Sequence, residues 1–409
     1  MSQLAMLGGP RAIPSTPANV EWPVVTSADE EAVLRVLRRG ALASGSPDEP
    51  EVPALESEWA QHVGVRHCAG VSSGTAALQL ALAALDVGPG DEVVVPAVSM
   101  NATAHAVRAV GGTPVFADID PVTFTIDPAS VAAVLSLRTA AVMPVHLHGL
   151  PADMAGLRAL TEPVGIPLVE DAAQAHGATY EGVRTGALGT VGCFSLHPSK
   201  NLPSCAEGGL VTTDDPKVHE RIAGLRQFGE RPRQAVRTYV AYTEGGNHKL
   251  SPIAAAFTRS QLARFDEYAK VRQTLVTDFL HRLRDLPGLV RPTCPEDRDH
   301  AWHILRFRLD PTAWDHADLP TWAVRRVLHK ALRAEGVPMS SYQVLPLPAQ
   351  PAFRGKQDCF PVATAVLQDS LCLQRRHLNP GSGPALVQYA DAITKVWEHL
   401  PELVTREAA

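Results

Sequence analysis

Apolar positions along the chain follow two different rhythms. Residues 27–39 carry an amphipathic helical pattern, and 53–63 and 76–85 also read as helices, the last of them strongly apolar. Short runs at 92–96, 113–118, 140–146, 166–170, 193–197 and 210–213 are almost continuously apolar and read as buried strands. Gly88-Pro89-Gly90-Asp91 marks a turn before the first of them. Helical segments lie between several of the strands. This alternation predicts an α/β fold, with a mostly parallel central sheet and helices on both faces. From about residue 216 the pattern becomes mainly helical. A helix over 262–283 bridges toward a smaller C-terminal α/β domain with a strand at 302–309 and a helix at 322–335. The reading divides the chain into a Pro/Gly-rich N-terminal arm (1–50), a large domain (51–265) and a small C-terminal domain (266–409), with a frayed tail at 402–409. No internal repeat appears.

Length supports two domains, since 409 residues exceed the usual single-domain range. The net charge of −6 gives no support to nucleic-acid binding. No apolar run approaches the roughly 20 residues that span a bilayer, and the N-terminus lacks the apolar core of a signal peptide. The six cysteines are scattered without a CxxC pair, so they read as reduced thiols of a cytoplasmic protein.

The candidate chemistry gathers where strands end. Lys200 lies in Phe194-Ser195-Leu196-His197-Pro198-Ser199-Lys200-Asn201-Leu202, ahead of Glu207-Gly208-Gly209. A lysine at a strand end, partly out of water, loses its proton near neutral pH and becomes a nucleophilic amine. A Schiff base with pyridoxal phosphate needs such an amine; the plainer alternative is a surface lysine. Ser73-Gly74-Thr75 opens a helix, where free amides and the helix dipole make a phosphate site, or where Ser73 is simply an N-cap. Asp171, at the end of a buried strand, is placed to pair with a pyridinium nitrogen or to cap a helix. Gln174 is within reach of a ring hydroxyl, and Ser195 of a phosphate. His176 reads as a core histidine. His146 and His148, two apart on one strand face, have no accompanying carboxylate or cysteine set and carry no metal site.

At this point the chain resembles the DegT/DnrJ/EryC1/StrS aminotransferases, of the fold type I pyridoxal-phosphate class, from about residue 29 to the C-terminus. The blocks that carry the resemblance are Ser72-Ser73-Gly74-Thr75-Ala76-Ala77-Leu78, Gly90-Asp91-Glu92-Val93 through Pro96, Pro144-Val145-His146-Leu147-His148-Gly149-Leu150-Pro151-Ala152-Asp153-Met154, Glu170-Asp171-Ala172-Ala173-Gln174-Ala175-His176-Gly177-Ala178, and residues 194–209. The resemblance implies that Lys200 binds the cofactor covalently and moves the proton. It implies that Asp171 pairs with the ring nitrogen, that Gln174 lies near the ring oxygen, and that Gly74, Thr75 and Ser195 contact the phosphate. Gly246-Asn247-His248 resembles a family loop whose asparagine reaches the neighbouring subunit's phosphate, which implies a homodimer with shared sites. One departure stands out. In Ser99-Met100-Asn101-Ala102-Thr103, Met100 takes the position of an aromatic residue that stacks on the cofactor ring.

The implied reaction is transamination from an amino-acid donor to a small keto acceptor, either a nucleotide-linked keto-sugar or a keto-cyclitol. Residues 4–14 and 369–377 look most like the cyclitol and aminohydroxybenzoate branch, which implies glutamine as the donor; Tyr342, Arg375 and His377 are candidates to line the substrate site, with a structural role as the alternative for each. A lyase, racemase or dehydratase of the same fold, or a non-catalytic binding protein, are the competing readings.

Overall fold

The computed structural model describes residues 3–14, 21–46, 48–231, 238–314, 320–355 and 357–408. Five strands run parallel: Thr113–Ala117, Glu92–Pro96, Thr139–Val142, Val169–Asp171 and Val191–Ser195 lie side by side in that order. Bridges at Val142–Leu168 and Val145–Asp171 join the third to the fourth. Gly209–Thr213 then pairs antiparallel with Val191–Ser195, and His67–Val71 closes the edge antiparallel to Gly209–Thr213. One reversed strand in seven makes the sheet mostly parallel.

Both faces of this sheet are covered. Successive side chains on a strand point to opposite faces, and on Val191–Ser195 neither face is polar. Cys193 packs among Ala77, Leu78, Ala81, Val218 and Ile222, on the helices Gly74–Ala84 and Pro216–Leu225. Phe194 packs on the other side against Trp59 and Ala254, from Glu51–Val63 and Pro252–Leu262. Strands buried on both faces are why the sequence shows apolar runs here and not alternation.

A second core lies over Ile304–Leu309 and Ser370–Gln374, which pair antiparallel. The helices Phe265–Arg282, Thr321–Glu335 and Gly383–Glu398 cover it. Leu4 and Ile13 belong to this core. Buried Glu335 ties them down, accepting from the amides of Ala5 and Ala12 and pairing with Lys395.

Three expectations need correction. The strand expected at 140–146 stops at Val142: Pro144 has no N–H to continue a ladder, and His148 takes a left-handed φ of 62°. His67–Val71 is a strand that periodicity misses. Its Cys68-Ala69-Gly70 has weak strand propensity, and pairing with Gly209–Thr213 decides its conformation. The tail does not fray: Leu400–Ala408 is helical and buries Leu403 and Val404. Ala409 lies outside the described residues.

One buried carboxylate fixes the centre of the sheet. Glu170 accepts from the amides of Gly186, Leu188 and Gly189 at 2.7–2.8 Å and from His146 Nε2 at 2.9 Å. His146 Nδ1 accepts from the Ala152 amide, so its proton sits on Nε2 and is donated to Glu170. The histidine expected to have no carboxylate therefore has one, as a hydrogen-bond partner. Glu170→Gln turns an amide NH₂ toward donors that need an acceptor. It should cost on the order of 3 kcal/mol, read as a lower urea midpoint at unchanged slope.

Candidate active site

The sheet delivers its reactive groups to one edge. His67–Val71, Val169–Asp171 and Val191–Ser195 all run in one direction, and beyond their carboxyl ends lie Ser73-Gly74-Thr75, Asp171 and Lys200. Open α/β sheets bind ligands there. A cavity of about 670 Å³ opens at this edge and is lined by Ser73, Gly74, Thr75, Met100, Asp171, Gln174, Ser195 and Lys200, together with Tyr342 and Arg375.

One end of the cavity suits a phosphate. Ser73 caps the helix Gly74–Ala84, its Oγ accepting from the Ala76 amide at 3.1 Å while its carbonyl takes the Ala77 amide. Its oxygen thus accepts within the helix while its O–H remains able to donate, and the first-turn amides of Gly74 and Thr75 are left for an anion. Gly74 has to be glycine. A Cβ there would lie 2.7 Å from Ser195 Cβ, so only glycine lets the helix start press against the end of the neighbouring strand.

Lys200 is held by its backbone and freed at its amine. Leu196 donates to Gly208 and accepts from Ser204, closing the loop between them, and Leu196 and Leu202 are buried at its two ends. The Lys200 carbonyl accepts from Trp22 Nε1 at 3.0 Å and Arg375 Nη1 at 3.4 Å. Burial pushes the ammonium down to about 8; Asp171 and Glu207 oppose the shift and Arg375 adds to it.

Asp171 is buried, and burial pushes its carboxyl above the usual range. The Thr103 hydroxyl (2.8 Å to Oδ2), the Ala173 amide (3.3 Å to Oδ1), Lys200 and His146 pull the other way without cancelling the rise. Thr103 is in turn bonded to Ser99 at 2.7 Å. A carboxylate so placed gains from a cation brought alongside it, such as a protonated ring nitrogen.

Gln174 bridges two elements. Its Oε1 accepts from the His148 amide at 2.8 Å, and it is hydrogen-bonded to Tyr342. His148 holds its left-handed turn because its carbonyl takes the His303 amide and its Nε2 takes Arg306 Nε, both at 2.8 Å. Burial, with Arg306 adding its charge, keeps His148 well below the ordinary histidine range.

Other expected residues lie elsewhere. Asn247 is exposed, outside this cavity, with Oδ1 accepting from Lys249 at 2.6 Å. His377 does not line the cavity; it bonds the Tyr389 hydroxyl at 3.1 Å. His176 packs against Trp59 and Phe194. Among the described residues no group of histidine, cysteine and carboxylate side chains is arranged to hold a metal. Thr103 and Trp22 are contacts that residue-by-residue reading missed. For Thr103 a signal was present, four residues after Ser99 at a helix start; for Trp22, 178 residues from Lys200 in sequence, there was none.

Residues 23–383 match the model of the DegT/DnrJ/EryC1/StrS aminotransferase family. The dTDP-3-amino-3,4,6-trideoxy-alpha-D-glucose transaminase of Streptomyces venezuelae is 37% identical over 344 residues, covering 84% of this chain and 85% of that protein. The structure of S. venezuelae DesV in complex with a ketimine intermediate superposes with a TM-score of 0.82 at 36% identity, covering 91% of this chain and 95% of that one. DesI in the presence of its TDP-sugar product superposes at 0.85 and 30% identity, covering 99% of each chain.

The lowered ammonium sets a pH test. Lys200 Nζ carries its proton below about pH 8 and is a free amine above it. The rate at which cofactor-free protein takes up pyridoxal phosphate, followed by absorbance, should therefore rise through a midpoint near 8, far below that of an ordinary lysine. A midpoint above 10 would contradict the environment described.

Proposed function

The chain belongs to the DegT/DnrJ/EryC1/StrS family of pyridoxal-phosphate-dependent aminotransferases, and from that premise we propose that it passes the amino group of glutamine or glutamate to a nucleotide-linked keto-sugar or a keto-cyclitol in natural-product biosynthesis. The observation that carries the reading is the meeting of Lys200, Asp171 and the start of the helix Gly74–Ala84 in one cavity. The sugar-nucleotide names of the relatives support the acceptor class.

The residues suit the cofactor. The amides of Gly74 and Thr75, with the Ser195 hydroxyl, would hold its phosphate. Asp171 would keep the ring nitrogen protonated, and Gln174 would serve the ring oxygen. When bound, pyridoxal phosphate supplies an aldehyde for the lysine amine and a ring that accepts electrons from the reacting carbon. Lys200 Nζ would hold the cofactor and, when free, would serve as the base that moves the donor's Cα proton. Its position near neutrality lets it both accept and return that proton. Met100, 55% exposed at the cavity wall, would offer the ring a thioether in place of an aromatic face.

The active protein is a homodimer with shared sites. Support comes from Asn247, exposed and outside its own chain's cavity, and from exposed Phe228, Val240 and Tyr242 in the surrounding segment. A cytoplasmic setting agrees with six free thiols, three of them exposed. Among the described residues no helix is long and apolar enough to cross a membrane.

Adding glutamine or glutamate to the loaded enzyme should convert the bound cofactor to its amine form, seen as loss of its absorbance; no conversion with any amino acid would sink the reading. Lys200→Ala should lose borohydride-trappable cofactor and nearly all turnover. Asn247→Ala should weaken cofactor binding while sedimentation still reports a dimer. Unchanged cofactor affinity would remove Asn247 from the site.

A further inference from the structure

A second cleft lies beside the catalytic cavity and shares part of its wall. It encloses about 320 Å³, and Gln374 and Arg376 line both spaces. Three separate stretches of chain bring a guanidinium to it: Arg11 from the N-terminal arm, Arg333 from the last turn of the helix Thr321–Glu335, and Arg376 from the short turn Arg375–Leu378. Among the described residues no aspartate or glutamate lines the cleft, and none of the three arginines forms an ion pair.

The local structure holds these groups in place. Gly336 ends the helix with a left-handed φ of 99°. A Cβ there would lie 2.8 Å from Ile13 and 3.3 Å from Arg11 Nη2, so glycine lets the arm lie against the helix end. Glu335, next to it in sequence, is fully buried and turned to the amides of Ala5 and Ala12 and to Lys395. It takes no part in the cleft. Arg376 is aimed by its neighbour. Its Nε donates to His377 Nε2 at 3.1 Å, so His377 carries its ring proton on Nδ1 and donates it to the Tyr389 hydroxyl. Burial and the Arg376 charge push His377 down to about 4, which keeps the ring a neutral acceptor. Nη1 and Nη2 of Arg376 remain without a protein partner among the described residues.

Three guanidiniums without a carboxylate suit an anion of more than one charge. A carboxylate offers one charge and two oxygens, which a single guanidinium fork satisfies. A phosphoryl group carries about two charges on its terminal oxygens and accepts from several forks at once. The overall charge of −6 and the enclosed size of the cleft speak against a nucleic-acid strand. We propose that Arg11, Arg333 and Arg376 form a phosphoryl-binding cleft for the phosphate or diphosphate of a small molecule. The shared wall leaves two sources for that group: the acceptor, extending out of the catalytic cavity, or a free phosphate compound that occupies the cleft alone. Only the first source rests on the aminotransferase reading above.

The test is calorimetry with inorganic pyrophosphate on protein loaded with pyridoxal phosphate, so that the cradle at Gly74 and Thr75 is already filled. Wild type should bind the probe, and Arg11→Gln, Arg333→Gln and Arg376→Gln should each weaken it roughly 10-fold. Arg376→Lys should recover part of the loss. Acetate at the same ionic strength should not displace the probe. Titration with dTDP-glucose, which has no keto group to react, separates the sources. If the acceptor's own diphosphate fills the cleft, dTDP-glucose displaces pyrophosphate and binds more weakly to Arg11→Gln and Arg333→Gln. If a free phosphate compound fills it, pyrophosphate binding depends on the arginines while dTDP-glucose binds wild type and both variants equally. Either result supports the cleft. Absence of pyrophosphate binding in wild type, or equal binding in all three glutamine variants at unchanged melting temperature, overturns it. No turnover is involved, so the measurement judges the cleft even where no donor converts the cofactor.

Discussion

The active-site edge depends on where the strand Val169–Asp171 stops, and the Glu170 carboxylate decides that. Buried between the sheet and the loop over 186–189, it accepts three backbone amides and the His146 ring. Because adjacent strand residues face opposite sides, fixing Glu170 into this set turns Asp171 the other way, toward the cavity. The same carboxylate holds His146, from which the chain runs directly into the left-handed turn at His148. That turn donates to Gln174. Asp171 and Gln174, which line the cavity, thus take their positions from a buried charge that does not line it.

Around this pivot the protein balances burial against charge in two ways. Structural charges are paired at short range, as with Asp29 and Arg264 or Glu335 and Lys395. Charges at the cavity are left short of partners. Lys200 is pushed toward neutrality, Asp171 is raised, and Arg375 has a buried nitrogen with nothing to bond. Perturbed groups that converge on one cleft are what a reactive site requires.

Much of this was legible in the sequence because local rules act there. Buried parallel strands show as apolar runs, and Glu92–Pro96 is found residue for residue. Ser73-Gly74-Thr75 announces a helix start: Ser73 caps the helix, and all three residues line the cavity. What stayed hidden is non-local. His67–Val71 becomes a strand through its partner, Glu170 finds His146 through the fold, and the tail helix forms because Leu403 and Val404 have a core to enter. Arg375 and His377 looked equivalent on the chain. One reached the cavity and the other turned to Tyr389, a distinction set by the short helical turn Arg375–Leu378.

The carbonyl of Lys200 carries one more consequence. Its two donors, Trp22 and Arg375, come from opposite ends of the polypeptide, 178 residues before it and 175 after. During synthesis the lysine leaves the ribosome long before Arg375 does, and the second of these hydrogen bonds exists only once the last tenth of the chain has joined the fold. Until then the loop that carries the amine lacks the clamp that sets its backbone. The reactive group is therefore finished last, by closure of the two ends of the molecule, and a truncated or half-made chain would display the lysine without the geometry that makes it useful.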